Sequence, residues 1–215
     1  MNDNHQTIIW DWNGTLLNDV DQCVDSMNTM LLKRQRSPIS RKKYSEIFTF
    51  PVKEYYETIG WDFNKESWDE IANEFMQLYF SKLGTAGLHE EALPVIEYFH
   101  KKNYPQAILS AMEHNALVSA IKERGILQYF DQIAGIEDHF AHSKIEVARK
   151  LIHNLKAASG EITMIGDTIH DYEVAKELGC QCILVAIGHQ TYERLKKSGC
   201  QVVKELNEIP GLFGI

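Results

Sequence analysis

The chain has 215 residues, 44% of them hydrophobic and 24% charged, ordinary proportions for a globular protein and enough length to bury a core without disulfides or structural metals. Its 22 Lys and Arg against 30 Asp and Glu give a net charge of -8, which argues against a nucleic-acid partner, since phosphate neutralisation needs a basic surface. The longest apolar run beside a strand, 183–187, falls far short of the ~18 residues a membrane span needs, and the polar start Met1 to Gln6 lacks the cationic and apolar regions of a secretory leader. A cytoplasmic setting is expected, with Cys23, Cys180, Cys182 and Cys200 as reduced thiols.

In chain order, residues 7–10 read as a first buried strand. The stretch 18–84 differs in character. Val20, Val24, Met27, Met30 and Leu31 recur at helical spacing, Trp68, Ile71, Ala72, Phe75, Leu78 and Tyr79 do so again, and strand-like runs are scarce. From about Leu88 short β-branched runs alternate with helical stretches. Residues 106–110 read as a buried strand, 115–124 as a helix halted at Gly125, and 132–134 as a weaker strand. Ser143 is placed as an N-cap, with Glu146 completing a capping box, for a helix through Ile152. Residues 161–165 form the next strand, followed by a helix over 172–178 that stops at Gly179. A strand at 182–185, a helix at 191–197 and a short strand at 202–203 complete the series before a terminal helical turn. The pattern predicts a doubly wound, Rossmann-like α/β core built from 1–17 and 85–215, with an all-helical cap inserted at 18–84.

In open parallel sheets, ligands bind beyond the carboxyl ends of the strands. The polar groups there are Asp11, Asn13 and Thr15 after the first strand, Ser110 after the second, Lys144 opening the helix after the third, and Asp167, Thr168 and Asp171 after the fourth. Taken singly, each has an ordinary explanation. Asp11 could cap the next segment, Asp167 and Asp171 could be helix-start charges, and a lone serine or lysine is usually structural. Together, they place several carboxylates, a hydroxyl and an ammonium in one crevice. Clustered carboxylates without a neutraliser repel, so a hard divalent cation is the natural partner, and oxygen ligands favour Mg²⁺ over zinc. A lysine and a hydroxyl beside it suit phosphoryl oxygens.

This constellation resembles the haloacid-dehalogenase-like hydrolases. Asp11-Trp12-Asn13-Gly14-Thr15 matches the family's Asp-x-Asp-Gly-Thr motif except at its middle position, and Gly166 to Asp171 matches Gly-Asp-Ser/Thr-x-x-Asp in full. Ser110 and Lys144 occupy the places of the second and third motifs, and the helical insert lies where phosphoglycolate-phosphatase-like members carry a cap. The resemblance implies a Mg²⁺-dependent phosphohydrolase acting on a small phosphorylated metabolite through an aspartyl phosphate. Asp11 would be nucleophile and metal ligand, with the Asn13 backbone carbonyl and Asp167 completing the protein ligands and Asp171 ligating or holding a water. Ser110, with Ala111 beside it, and Lys144 would bind the phosphoryl oxygens.

Position 13 departs from the family. Its members carry there an Asp that protonates the leaving oxygen and later deprotonates the attacking water. An amide cannot shuttle a proton, a role worth roughly 10²–10⁴-fold, so slow turnover of unactivated esters is expected unless another group, such as His170 or His189, supplies the proton. Other readings stand beside this one. A phosphonoacetaldehyde-hydrolase-like enzyme would use a cap lysine, Lys53 (or Lys42 or Lys43), as Schiff base. A non-catalytic phosphate- and Mg²⁺-binding protein would keep the site for sensing. A receiver-like module is disfavoured by the length of the insert. The aromatic stretch 44–56 is expected to face the substrate.

Overall fold

The computed structural model describes residues 6–136, 144–155 and 157–214. Its centre is a six-stranded, all-parallel sheet with spatial order β3-β2-β1-β4-β5-β6. The strands are β1 Thr7–Asp11, β2 Gln106–Glu113, β3 Gln132–Ile136, β4 Ile162–Gly166, β5 Gln181–Val185 and β6 Gln201–Val203. Successive strands run outward from β1 in both directions, so the order reverses between β1 and β4, where a crevice forms at the carboxyl ends.

Every residue of β1 is buried, because both faces of the sheet are covered. Alternation across the strand sends Ile8 and Trp10 to one face, with Ile108 and Ile165, while Ile9 joins Leu109, Met164, Val147 and Val174 on the other. Trp10 also donates from Nε1 to Gln106 Oε1 at 2.9 Å, which satisfies the indole N–H in a dry setting. Helices α5 Ala92–Lys101, α6 His114–Glu123, α7 Lys144–Leu155, α8 Ile169–Leu178 and α9 Tyr192–Lys196 belong to the alternating part. Gly125 and Gly179 terminate α6 and α8 with φ of +67° and +71°, a region costly for residues with a Cβ.

Between β1 and β2 the described elements are helical: α1 Val20–Lys33, α2 Arg41–Ile47, α3 Val52–Thr58 and α4 Trp68–Leu83. Met27, Met30 and Leu31 of α1 and Ile71 and Tyr79 of α4 share one apolar cluster with Trp10 and Trp12, so this packing is continuous with one face of the sheet. Arg34 ties α1 to the α4 region through Glu66 and Glu74, at 2.6 and 2.8 Å.

Two expectations need correction. The second strand does not end at Ser110. It runs on to Glu113 through a register shift against β3, which leaves Ser110 and Ala111 inside the strand. The helix expected from Tyr172 begins at Ile169, so Asp171 sits in its first turn. Ser143, the expected N-cap, lies outside the described residues. Among those described, no helix is long and apolar enough to cross a membrane, and Cys23, Cys180, Cys182 and Cys200 are free thiols.

Candidate active site

Asp11 ends β1 and Asp167 follows β4, and these neighbouring strands carry the two carboxylates into the crevice. Thr15 links them, with Oγ1 lying 3.2 Å from Asp11 Oδ2 and 3.0 Å from Asp167 Oδ1. Asp167 also accepts the His189 backbone N–H at 2.5 Å. Lys144, first residue of α7, puts its buried ammonium between Asp11 and Asp171, and donates to Asp171 Oδ1 at 2.6 Å. The second oxygen of Asp171 is held by Thr168, from its backbone N–H at 3.0 Å and its hydroxyl at 2.7 Å.

Close backbone approach makes this possible at two glycines. Gly14 turns with φ of +78°, and a Cβ there would lie 2.5 Å from Asp167 Oδ2. A Cβ on Gly188 would overlap the same oxygen and the Gly14 carbonyl.

Burial shapes the charges. It pushes the Asp11 carboxyl up to about 8 despite Lys144, and Asp167 up to about 6 despite His189. Burial acts the same way on Asp171, but Lys144 and Thr168 outweigh it and hold that carboxyl below its ordinary value. For Lys144, burial opposes the charge, yet Asp11 and Asp171 hold the ammonium above its usual range. Lys144 therefore pairs with two of three buried carboxylates, Asp11, Asp167 and Asp171, each of which offers an oxygen within 4.8 Å of the others'. This all-oxygen donor set fits a hard divalent cation such as Mg²⁺.

Asn13 is fixed on three sides. Its amide N–H₂ donates to Asp19 Oδ2 and to the Tyr79 hydroxyl, both at 2.8 Å, and its carbonyl oxygen accepts from Ser110 Oγ at 3.2 Å. Asp19 is almost wholly buried at 1% exposure. It accepts from Tyr79 at 2.6 Å and from the Gly14 N–H at 2.8 Å, and its Oδ1 lies 3.6 Å from His189 Nε2. Burial raises the Asp19 carboxyl, but these partners, His189 foremost, bring it below its ordinary value. Burial disfavours the His189 cation, and Asp19 and Asp167 outweigh that to push it up to about 9.

These groups line a cavity of about 340 Å³. Asp11, Asn13, Ser110, Ala111, Lys144, Asp167 and Asp171, the residues singled out in the sequence, all border it. The expected substrate-facing stretch does so through Tyr44, Phe48, Phe50, Val52, Tyr55 and Tyr56. His170 borders it too, stacked on Phe50 with ring centres 4.7 Å apart. Lys53 does not. It is exposed, and its ammonium lies 5.0 Å over the Phe63 ring, because the helical register of α3 that turns Val52, Tyr55 and Tyr56 inward leaves Lys53 outside. Sequence reasoning missed Asp19, Cys23 and Tyr79, which border the same cavity. Asp19 stands one residue before α1 with no motif around it. Tyr79 looked like one more apolar position on a helical stripe.

Residues 8–185 match the family model of haloacid dehalogenase-like hydrolases. A probable phosphatase, IndB, of Dickeya dadantii (strain 3937) is 29% identical over 113 residues, which is 51% of this chain and 49% of the relative. The match thus spans about half the length of that curated protein. Among solved structures, the chain is similar to the haloacid dehalogenase-like hydrolase SP0104 from Streptococcus pneumoniae, with a TM-score of 0.73 at 22% identity and coverage of 98% and 99% of the two chains. It is similar to a predicted phosphoglycolate phosphatase from Haemophilus somnus 129pt, with a TM-score of 0.75 at 15% identity and coverage of 99% of both. It is also similar to Protein Tyrosine Kinase A of Mycobacterium tuberculosis, with a TM-score of 0.82 at 20% identity and coverage of 99% and 100%. At these identities the structural likenesses speak for the fold alone, whereas the family match extends from β1 through β5, over both acidic loops: the chain belongs to the haloacid dehalogenase-like hydrolases.

Proposed function

We propose that the chain is a phosphohydrolase that moves a phosphoryl group from a small-molecule ester to Asp11 and then to water. The observation that carries this reading is the pairing of buried Asp11 with Lys144 at the rim of an otherwise apolar cavity, beside Ser110 and two further carboxylates. Asp11 is the nucleophile. Lys144 offsets the charge between Asp11 and the incoming phosphoryl oxygens, and Ser110 and Ala111 receive those oxygens. Asp11, the Asn13 backbone carbonyl and Asp167, with Asp171 directly or through a water, would hold Mg²⁺, which would supply positive charge to keep these carboxylates ionised. Thr15 and Gly188 set the position of Asp167, and Thr168 sets that of Asp171.

Asn13 orients the site and moves no proton. Its amide is committed to Asp19 and Tyr79, so the leaving oxygen departs without a general acid from this position. Residues 18–84 act as a cap over the crevice, with the chain crossing to and from it near 16–18 and 84–87. The exposure of Lys53 removes support from a Schiff-base mechanism through that lysine.

The test is Mg²⁺-dependent release of phosphate from 4-nitrophenyl phosphate, with Asp11→Asn as the partner variant. Release is expected from the native chain and at least a ~10³-fold loss in the variant, since the whole covalent route is removed. Equal rates in the two proteins would rule out Asp11 as nucleophile.

A further inference from the structure

We infer that the substrate's leaving portion is an aromatic ring joined to phosphorus through a phenolic oxygen, so that the chain selects aryl phosphates; this rests on the phosphohydrolase reading above. Two independent observations point there. The first is the wall of the cavity. On the side formed by α1–α4 it is built from Phe48, Tyr55, Tyr56, Trp68 and Phe75, with Met76 beside them. Tyr56 meets Trp68 and Phe75 edge-on at 5.4 and 6.4 Å, and Phe75 stacks on Tyr79 at 6.0 Å. The one charged group this side contributes is Asp19, whose oxygens are occupied by Asn13, Gly14 and Tyr79. Among the described residues no Lys or Arg other than Lys144 borders the cavity. A second carboxylate on the substrate would lose its hydration there without gaining a lysine or arginine, and the His189 cation is already engaged by Asp19 and Asp167. An aromatic ring meets edges and faces at favourable geometry.

The second observation is Asn13. Transfer to Asp11 forms the Asp11 Oδ–P bond and breaks the P–O bond to the leaving group, which keeps the electron pair. A phenolate, of pKa about 10, carries that charge unaided and takes its proton from solvent, whereas an alkoxide is far more basic and needs an acid, which Asn13 is not. Water then attacks phosphorus, the Asp11–P bond breaks with its electrons returning to the carboxylate, and the water's proton passes to the released phosphate. With no base at position 13 this second step is slow, so it limits kcat, while kcat/KM reports the first step. Wall and position 13 thus converge on one substrate class.

The experiment compares kcat/KM for phenyl phosphate, cyclohexyl phosphate and phosphoglycolate, with Mg²⁺, in the native chain, Asn13→Asp and Met76→Lys. The native chain is expected to prefer phenyl over cyclohexyl phosphate by about 100-fold or more. Asn13→Asp is expected to raise kcat/KM for cyclohexyl phosphate about 10²-fold and for phenyl phosphate by under about 5-fold, as restored acid catalysis would. Met76 is 40% exposed, so Met76→Lys tolerates folding, and it is expected to narrow the preference for phenyl phosphate over phosphoglycolate at least about tenfold by adding the missing cation. In a separate arm, phenylphosphonate is expected to bind about tenfold tighter than methylphosphonate. Equal kcat/KM for phenyl and cyclohexyl phosphate, efficient cleavage of phosphoglycolate, or equal binding of the two phosphonates overturns the inference. If no ester is cleaved at all, the phosphohydrolase reading fails, and the phosphonate arm still decides whether the cavity selects a ring.

Discussion

His189, in the loop after β5, ties the Asp167 loop after β4 to the helical side. Its backbone N–H holds Asp167, its Nδ1 meets the Tyr44 hydroxyl at 2.9 Å, and its Nε2 faces Asp19. In the unfolded chain an imidazole has its ordinary value of 6.5, while in the fold His189 is pushed up to about 9 by Asp19 and Asp167 against the cost of burial. The stabilisation from this pairing is therefore complete below pH 6.5 and disappears as the pH rises through about 9. At about 1.4 kcal/mol per pKa unit it is on the order of 3 kcal/mol. Urea denaturation of the native chain and of His189→Gln in metal-free buffer is expected to give a stability gap that is widest near pH 6 and shrinks towards pH 9. A gap independent of pH would mean that His189 is neutral in the fold. Asp19 is the other half of the pair and the larger structural commitment. Asp19→Asn would replace one accepting oxygen with a donating N–H₂ that faces the donors from Gly14 or from Asn13 and Tyr79, and a loss of about 2–4 kcal/mol in the same titration is expected.

At the scale of elements, the loops after β1, β4 and β5 fit together because Gly14 and Gly188 let backbone lie against Asp167. Gly188→Ala would drive a methyl group into Asp167 Oδ2 and the Gly14 carbonyl, and backbone on one side leaves little room to yield. The expected result is a Mg²⁺ affinity weakened by about 10–100-fold, measured by calorimetric titration, with the melting temperature changed by only a few degrees. Unchanged Mg²⁺ affinity would detach Asp167 from the metal site. These loops also show what the sequence carried. Asp11, Asp167 and Asp171 were legible because each follows an apolar strand run at a fixed offset, and the topology of a parallel sheet delivers such positions to one edge. Helices ending at Gly125 and Gly179 were legible for the same local reason, a left-handed residue after a periodic stripe. Helices α2 and α3 were not delineated, since seven-residue helices of mixed polarity leave no full amphipathic period. The continuation of β2 past Ser110 was hidden because its irregular register breaks the alternation that marks a strand. Asp19 became visible only in three dimensions, where a residue with no motif meets Asn13, Gly14, Tyr79 and His189.

For the whole molecule, the arrangement of attachments between the helical stretch and the sheet suggests how substrate gets in. One end is held by backbone pairing where the chain crosses over: Leu17 bridges Leu88 antiparallel, Asn18 N–H donates to the Gly87 carbonyl at 2.9 Å, and His89 N–H donates to the Leu16 carbonyl at 3.0 Å. Arg124 reinforces it, donating to the Ala86 carbonyl at 2.6 Å. Another attachment lies on the far side of the cavity and consists of side chains. Arg194 donates to the Phe48 carbonyl at 2.6 Å, Gln190 donates to the same oxygen at 3.0 Å, and Phe50 rests on His170. Backbone pairing at one end and side-chain contacts at the other is what a lid swinging on the crossings would need, with the buried Tyr44–His189 bond and the Asn13–Tyr79 bond to break as well. Arg194→Ala removes a charged donor worth about 1.5–3 kcal/mol, so opening should become roughly 10–100-fold more frequent. Hydrogen exchange is expected to quicken by that factor in Arg41–Ile47 and Val52–Thr58 while β1 and β4 keep their protection. In the native chain, Mg²⁺ with fluoroberyllate should slow exchange in those same helices. Acceleration spread equally through the sheet would mean that Arg194 supports global stability instead, and no change in α2 and α3 would mean that the side-chain contacts do not hold the lid shut.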